Sequence, residues 1–126
     1  MPGHRLLVLV VNDDEAVRDA THFQLRIQNV EVHGHAGGAS VFKDRDLTRA
    51  GCLILKDRMP CMDGFEVIKC LRALNFQIPV ILLTGEASAG LRARADAAGV
   101  CLVLENPILD NALVDGVLDI LRGQRT

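Results

Sequence analysis

The chain contains no tryptophan and no tyrosine, and only 3% of its residues are aromatic. Aromatic platforms on which nucleic-acid bases stack are therefore not indicated. Basic residues are not in excess either, because the formal net charge is −2. No basic stretch offers a groove for a phosphate backbone, so we expect no nucleic-acid partner.

The chain also lacks a long apolar run. Residues 6–11 read LLVLVV, but this run is far shorter than the ~18 apolar residues that span a membrane. Acidic residues follow it, where a secretion signal has small residues for cleavage. We therefore expect no membrane segment and a cytoplasmic location.

Cysteine is present, but not in a metal-binding or redox pattern. The four cysteines stand at positions 52, 61, 70 and 101, and no two of them form a C-x-x-C pair. We interpret them as reduced thiols in the core or on the surface. His33 and His35 are interpreted as strand-edge or surface residues, because no third ligand follows at a spacing typical of metal sites.

Apolar runs of strand length alternate with helical patterns along the chain. The predicted strands are Leu6–Val11, Val30–His35, Cys52–Leu55, Pro79–Leu83 and Cys101–Leu104. The predicted helices are Glu15–Gln28, Gly38–Lys43, Gly64–Leu74, Ser88–Ala98 and Asp110–Leu121. In the first helix the apolar pattern consists of Val17, Phe23, Leu25 and Ile27. Nearly continuous apolar strands are typical of strands covered on both faces. The second run, VEVHGH, is mixed and is expected nearer an edge.

Five β-α repeats predict an α/β domain of three layers, with a parallel sheet between two layers of helices. The 126 residues suffice for one domain, which we place at 1–126 with its core at about 5–122 and no output domain. In such sheets the ligand crevice lies at the carboxyl ends of the strands. The residues to examine for function are therefore 12–14, 56–58, 84–86 and 105–107.

These clusters, in their order and spacing, resemble the receiver domain of bacterial two-component response regulators. The matching stretches are VVNDDEAVR at 10–18, RMPCMDGFEVI at 58–68, PVILLTGEA at 79–87, AGV at 98–100 and LENP at 104–107. The resemblance covers roughly residues 5–122. It implies a flavodoxin-like fold with strand order 2-1-3-4-5, and a signalling protein rather than an enzyme.

The resemblance also assigns a site. In receivers an acidic pair after the first strand binds Mg²⁺, and an aspartate ending the third strand accepts phosphate from a histidine kinase. A Thr or Ser ends the fourth strand, and a Lys-Pro follows the fifth. The corresponding residues here are Asn12 and Asp13, with Asp14 as the additional acid, Lys56, Thr84 and Asn106, and Val103 at the position of the usual aromatic switch residue.

A lysine at the acceptor position changes the expected chemistry. An ammonium cannot replace a carboxylate as the phosphate acceptor, and Mg²⁺ prefers oxygen ligands, of which Asp13 is the residual candidate. We therefore expect no catalytic residue and weak or absent Mg²⁺ binding. Asp13 and Lys56 have opposite charges, while Asn12 and Asn106 are neutral. The pocket is thus balanced without a metal, and we predict that Lys56 pairs with Asp13.

These substitutions predict a degenerate, stand-alone receiver that acts through protein–protein contacts. The expected partner is a sensor histidine kinase or another response regulator. The resemblance also indicates a surface for homodimerisation, formed by the fourth helix, fifth strand and fifth helix at residues 88–122.

Three alternatives stay open. The domain is still phosphorylated if Asp57 or Asp13 serves as acceptor, although Asp57 is one residue late and its side chain is expected on the opposite face of the strand. A Schiff-base enzyme built on Lys56 is more remote, since a neighbouring Asp13 favours the charged amine. Nucleotide or flavin binding lacks a glycine-rich phosphate loop.

Overall fold

The computed structural model describes residues 6–108 and 110–123. Residues 1–5, 109 and 124–126, which the predicted domain also includes, lie outside the described residues. The strands are β1 (Leu7–Val11), β2 (Glu31–His35), β3 (Ala50–Lys56), β4 (Val80–Thr84) and β5 (Leu102–Glu105). The helices are α1 (Glu15–Ile27), α2 (Gly38–Val41), α3 (Gly64–Ala73), α4 (Ala89–Ala97) and α5 (Ala112–Arg122).

The strands form one parallel sheet in the order β2-β1-β3-β4-β5. The predicted fold and strand order are therefore confirmed. The register pairs Lys56 of β3 with Leu83 of β4, and Thr84 of β4 with Glu105 of β5. The loops that follow β3, β4 and β5 consequently open at the same edge of the sheet, where the candidate site was expected.

Alternate residues of each central strand face opposite helix layers. One core cluster joins odd-numbered residues of β1 and β3 to α2, α3 and α4, and includes Leu7, Leu9, Val11, Val41, Leu53, Leu55, Val67, Ile68, Leu71 and Ala95. The other joins even-numbered residues to α1 and α5, and includes Val8, Val10, Leu25, Cys52, Ile54, Leu113, Val117 and Leu121. In β4, Val80 and Leu82 belong to the first cluster, and Ile81 and Leu83 to the second. This alternation decides on which side of the sheet each strand-end residue lies.

Short polar side chains fix where three helices begin. Asp14 accepts a hydrogen bond from the Val17 amide and caps α1. Asp63 and Glu66 form a reciprocal capping box at the start of α3. Ser88 caps α4. These caps satisfy amide groups that lack an intrahelical partner. The loops that follow β1, β3 and β4 therefore end at defined residues, where α1, α3 and α4 begin.

Of the apolar residues in the pattern predicted for α1, Leu25 alone lies on the buried face. Phe23 and Ile27 are 68% and 66% exposed, whereas Thr21 and Leu25 are buried. Residues four apart lie on the same side of a helix, so Thr21 and Leu25 define the face that packs on the sheet. Phe23 and Ile27, also four apart, lie on the outer face.

Two features near the strand ends were not expected from the sequence. A short 3₁₀ turn, Leu47–Arg49, precedes β3, which begins two residues earlier than the apolar run predicts. β5 is an edge strand, and its four residues are partly or fully exposed. It is therefore less covered than its apolar sequence indicates.

The cysteines of the structure are all free thiols. Cys52 is buried, and Cys61, Cys70 and Cys101 are exposed. Burial, with a smaller effect of Cys101, raises the pKa of the Cys52 thiol to about 12, so this group stays protonated. Among residues 6–108 and 110–123, none of the helices has the length and hydropathy of a membrane span.

Candidate functional site

Asn12, Asp13 and Asp14 follow β1 at the edge where the strands end. Asn12 is 2% exposed, and its side-chain oxygen accepts a 2.9 Å hydrogen bond from the Asp14 amide. The Asn12 carbonyl accepts a 2.6 Å bond from Arg18. Asn12 and Asp14 therefore shape the turn into α1, and Asp13 is the residue of the three whose carboxylate reaches across the strand ends.

Lys56, the last residue of β3, contacts Asp13. Its Nζ donates a 2.9 Å hydrogen bond to Asp13 Oδ1, as the charge balance of the pocket predicts. The two side chains are 30% and 34% exposed, so water screens the pair in part. The ammonium therefore lies at the end of β3, the position that the resemblance assigns to the phosphate acceptor, and it bonds the carboxylate of the residual candidate metal ligand.

Lys56 and Asn106 line a cleft of about 620 Å³ between the strand ends, α1 and α5. Asn12 and Asp14 line the same cleft, on the side of the sheet that carries the even-numbered core residues of β3. The peptide between Asn106 and Pro107 is cis. Four of the predicted site residues are thus brought together here.

Thr84 lies with Asp57 in a different place. Its Oγ1 donates a 2.8 Å hydrogen bond to Asp57 Oδ2, and both residues are buried, at 2% and 6% exposure. The Asp57 amide donates to the Leu83 carbonyl at 2.9 Å, which continues the pairing of β3 with β4. The predicted set of site residues is therefore divided between the two faces of the sheet.

A second cleft, of about 470 Å³, opens beside Asp57 and Thr84. Arg58, Ser88 and Arg94 contribute to its lining. The two arginines bring positive charge to this cleft, and Glu86, which also lines it, brings negative charge. Arg94 also contacts a neighbouring helix, because its guanidinium carbon lies 4.0 Å from the centre of the Phe65 ring. This cation–π contact joins α4 to α3, and no spacing in the sequence indicates it.

Val103, at the switch position, is a half-buried residue of β5 that packs against the core cluster on the α3 and α4 side. In the sheet it pairs with Leu82. It therefore lies on the same side of the sheet as Thr84 and on the opposite side from the Lys56 cleft. A valine has neither an aromatic ring nor a hydroxyl group, so the Val103 side chain cannot form a hydrogen bond with Thr84.

The side chains at the strand ends do not fit the Mg²⁺ ion that the fold family implies. Mg²⁺ is held by carboxylates in a nearly octahedral shell of oxygen atoms. Here Asp13 Oδ1 already accepts from the Lys56 ammonium, whose positive charge opposes a cation. Asn12 Oδ1 accepts from the Asp14 amide, and Asp14 Oδ1 from the Val17 amide. The arrangement provides a balanced ion pair where a metal site requires surplus negative charge.

The fold and the strand-end site define a class of signalling domain with a central parallel sheet. The family model "Response regulator receiver domain" matches residues 8–118, and the chain belongs to this family. Receivers are the signal-accepting domains of two-component systems, so the coarse function predicted from the sequence is confirmed.

Curated relatives support this assignment. The chain is 34% identical over 110 residues to the C4-dicarboxylate transport transcriptional regulatory protein DctR of Rhodobacter capsulatus, covering 86% of this chain and 56% of DctR. It is 32% identical over 112 residues to the transcriptional regulatory protein FixJ of Azorhizobium caulinodans, covering 89% of this chain and 53% of FixJ. The chain thus spans about half the length of these relatives.

Solved structures agree with the fold. The response regulator StyR superimposes with a TM-score of 0.86 at 31% identity, covering 94% of this chain and 60% of StyR. The chemotaxis protein CheY4 of Vibrio cholerae gives a TM-score of 0.81 at 26% identity, covering 93% of this chain and 99% of CheY4. The predicted flavodoxin-like receiver fold is therefore that of known response regulators.

Proposed function

We propose that this chain is an atypical receiver that signals through protein–protein contacts without accepting phosphate at the end of β3. The observation that supports this is the ion pair between Lys56 Nζ and Asp13 Oδ1 at 2.9 Å. In this pair the Asp13 carboxylate, which a metal would need as a ligand, is already bonded to Lys56. The Lys56 ammonium also lies where a receiver needs a nucleophilic oxygen. The site therefore holds a single charge state that phosphate does not switch.

In this proposal the protein is cytoplasmic and binds a sensor histidine kinase or another response regulator, acting as an adaptor or a decoy. The surface of α4, β5 and α5, at residues 88–122, is proposed for homodimerisation. β5 supports this choice, because it is an edge strand with partly exposed apolar residues. Edge strands of this kind are common sites of association.

A phosphorylation assay tests the proposal. The purified protein is incubated with acetyl phosphate and Mg²⁺, and with an autophosphorylated histidine kinase, and we expect no acid-stable, hydroxylamine-labile phosphoryl group. Binding to kinase dimerisation domains, measured by pull-down or calorimetry, is expected to be the same with and without phosphate donor. A phosphoryl group on this protein, or binding that depends on the donor, contradicts the proposal.

Asp57 supports a second candidate function, a receiver that is still phosphorylated one residue later. Its carboxylate bonds the Thr84 hydroxyl at 2.8 Å, and Arg58 and Arg94 line the cleft beside it. Positive charge there is suited to a phosphoryl group. In the assay above, a signal that disappears in Asp57→Asn and persists in Asp13→Asn identifies this function. The Schiff-base alternative has no supporting contact, since the Lys56 amine is engaged by Asp13.

A further inference from the structure

The strand β2 lies at the opposite edge of the sheet from β5 and carries a cluster of histidine and carboxylate side chains. Glu31, His33 and His35 alternate along β2 and therefore share one face. The His33 ring lies between two carboxylates, with Nε2 3.0 Å from Glu31 Oε2 and Nδ1 3.0 Å from Asp44 Oδ2. The described residues thus place two imidazoles and several carboxylates together, outside the Lys56 cleft.

Asp44 fixes the geometry of this cluster. Its side chain is 7% exposed, and its Oδ2 also lies 2.8 Å from His35 Nε2. Its Oδ1 accepts a 2.9 Å hydrogen bond from the Asp46 amide, which positions the loop that carries the Asp46 side chain. Carboxylates that hold the second ring nitrogen of a histidine orient that ring for a ligand on the first.

Arg49 is the cation within the cluster. Its Nη2 lies 3.1 Å and 3.3 Å from the two carboxylate oxygens of Glu31, and its Nε lies 3.4 Å from Asp46 Oδ1. The Arg49 side chain is 40% exposed, so it can move into solvent at little cost. Glu31 and Asp46 therefore face a positive group that another cation can displace.

We propose that Glu31, His33 and Asp46 bind a divalent transition-metal ion of the zinc class, with Arg49 taking its place when the metal is absent. One ligand atom from each of these three residues lies within 4.8 Å of the others. A tetrahedral zinc with bonds of about 2.0–2.2 Å needs ligand atoms roughly 3.5 Å apart, so small side-chain movements close the site. No third ligand was identified in the sequence, because Asp46 comes from a loop thirteen positions after His33.

The donor set decides which metal is bound. One imidazole nitrogen and two carboxylate oxygens suit zinc, nickel or cobalt, whereas Mg²⁺ and Ca²⁺ prefer oxygen alone. Three protein ligands leave one position of a tetrahedral zinc for water. Asp44 then keeps His33 oriented through Nδ1, and Nε2 becomes the metal ligand on the side where Glu31 now lies.

Protons compete with the metal for His33. Partial burial alone lowers the pKa of His33, but hydrogen bonds to Asp44 and Glu31, with their charges, raise it above its ordinary value of 6.5. The hydrogen bond from Arg49 lowers the pKa of Glu31. Burial raises the pKa of Asp44, and hydrogen bonds from the Asp46 amide and the two histidines outweigh that effect and lower it. The carboxylates of Glu31 and Asp44 are therefore ionised at neutral pH. His33 must lose a proton before it can bind a metal.

Zinc titration tests the proposal. Because thiolates also bind zinc, the background is the chain with the exposed Cys61, Cys70 and Cys101 replaced by serine. Isothermal calorimetry with ZnCl₂ at pH 7.5 is expected to show one saturable site. His33→Gln and Asp46→Asn are expected to weaken binding by about tenfold or more, while His22→Gln on α1 is the matched control and leaves it unchanged.

Arg49 supplies a test with the opposite sign. Arg49→Ala removes the competing cation and is expected to tighten zinc binding several-fold. Affinity is also expected to fall as the pH is lowered, because protons compete with zinc for the ring nitrogen of a histidine ligand. In the same background, NMR of the imidazole protons is expected to show zinc shifting His33 and leaving His22 unmoved, a readout that does not depend on the folding of a variant.

Three outcomes overturn the proposal. They are zinc binding that is equal in His33→Gln and in the background, no binding below about 1 mM zinc, and zinc shifts at His22 with none at His33. If Arg49→Ala leaves the affinity unchanged, Arg49 does not occupy the metal position and the exchange of cations is refuted.

Discussion

Lys56 and Thr84 end two neighbouring strands, yet their side chains bond different carboxylates on opposite faces of the sheet. Lys56 Nζ donates to Asp13 Oδ1 at 2.9 Å, and Thr84 Oγ1 donates to Asp57 Oδ2 at 2.8 Å. The register sets this division, because Lys56 pairs with Leu83 and Thr84 is thus the neighbour of Asp57. The contact of Lys56 with Asp13 and the contact of Thr84 with Asp57 therefore lead to separate predictions.

The ion pair of Lys56 with Asp13 is expected to couple the two residues weakly. Their side chains are 30% and 34% exposed, so a double-mutant cycle with Lys56→Ala and Asp13→Ala should give about 0.5–1 kcal/mol. The coupling should decrease in 1 M salt. Urea denaturation measures it, and the exposed pair of Asp119 with Arg122 is the control, with coupling near zero. Strictly additive losses for Lys56 and Asp13 contradict the ion pair.

Replacing the lysine is expected to recover a metal response. Lys56→Asp removes the ammonium and adds a carboxylate next to Asp13, which together provide the oxygen ligands that Mg²⁺ needs. The melting temperature of this variant should rise on addition of millimolar Mg²⁺, because the ion binds the folded state. The unchanged protein and Lys69→Asp, an exposed site on α3, should show no such rise. Equal responses of all three proteins would mean that Lys56 does not exclude the metal.

The hydroxyl of Thr84 is expected to stabilise the fold. Thr84→Val keeps the side-chain shape but removes the donor to the buried Asp57 carboxylate, at a cost of about 1–3 kcal/mol. Thr21→Val is the matched control, because the buried Thr21 donates only to the Val17 carbonyl within its own helix and such bonds contribute little. Chemical denaturation gives both values. If the two substitutions lower the free energy of unfolding equally, the bond between Thr84 and Asp57 contributes no more to stability than the bond within α1.

The Lys56 pair was predictable from the sequence, and the division of the site was not. Charge balance among four strand-end residues pointed to Asp13, and alternation along β3 placed Asp57 on the other face. The grouping of Thr84 with Lys56 assumed a register between β3 and β4, which depends on pairing across chain segments and has no local signal. The exposed outer face of α1 and the loop ligand Asp46 were missed for the same reason, since tertiary packing decides both.

The cluster around His33 is expected to make stability depend on pH. The pKa of His33 is raised in the fold, so its contribution is fully present below about pH 6.5 and is lost as the pH rises through the folded value. The pKa values of Glu31 and Asp44 are lowered, so their contributions are lost at acid pH, below their ordinary values. The free energy of unfolding, measured from pH 5 to 9 without metal, should therefore exceed that of His33→Gln most near pH 5–6. A difference that grows with pH contradicts this sign.

The close approach of Gly64 to the end of β3 leads to the last prediction. The Gly64 amide donates a 2.8 Å hydrogen bond to the Asp57 carbonyl, which draws the start of α3 against the strand. A Cβ at Gly64 would lie 2.6 Å from the Lys56 carbonyl oxygen and 3.1 Å from Asp57 Cα. Both are backbone atoms, so relief requires the strand end or the helix to shift.

Gly64→Ala is therefore expected to destabilise the fold by about 1–3 kcal/mol. Gly90→Ala is the control, because Gly90 lies within α4 and the nearest atom to its added Cβ is Ser88 Oγ at 4.0 Å. Alanine there should stabilise the helix by about 0.5–1 kcal/mol. Since a shift at Gly64 displaces Asp57, Gly64→Ala and Thr84→Val should be non-additive in urea denaturation. Additive losses, or a stabilising Gly64→Ala, would show that the contact between α3 and β3 does not hold Asp57 in place.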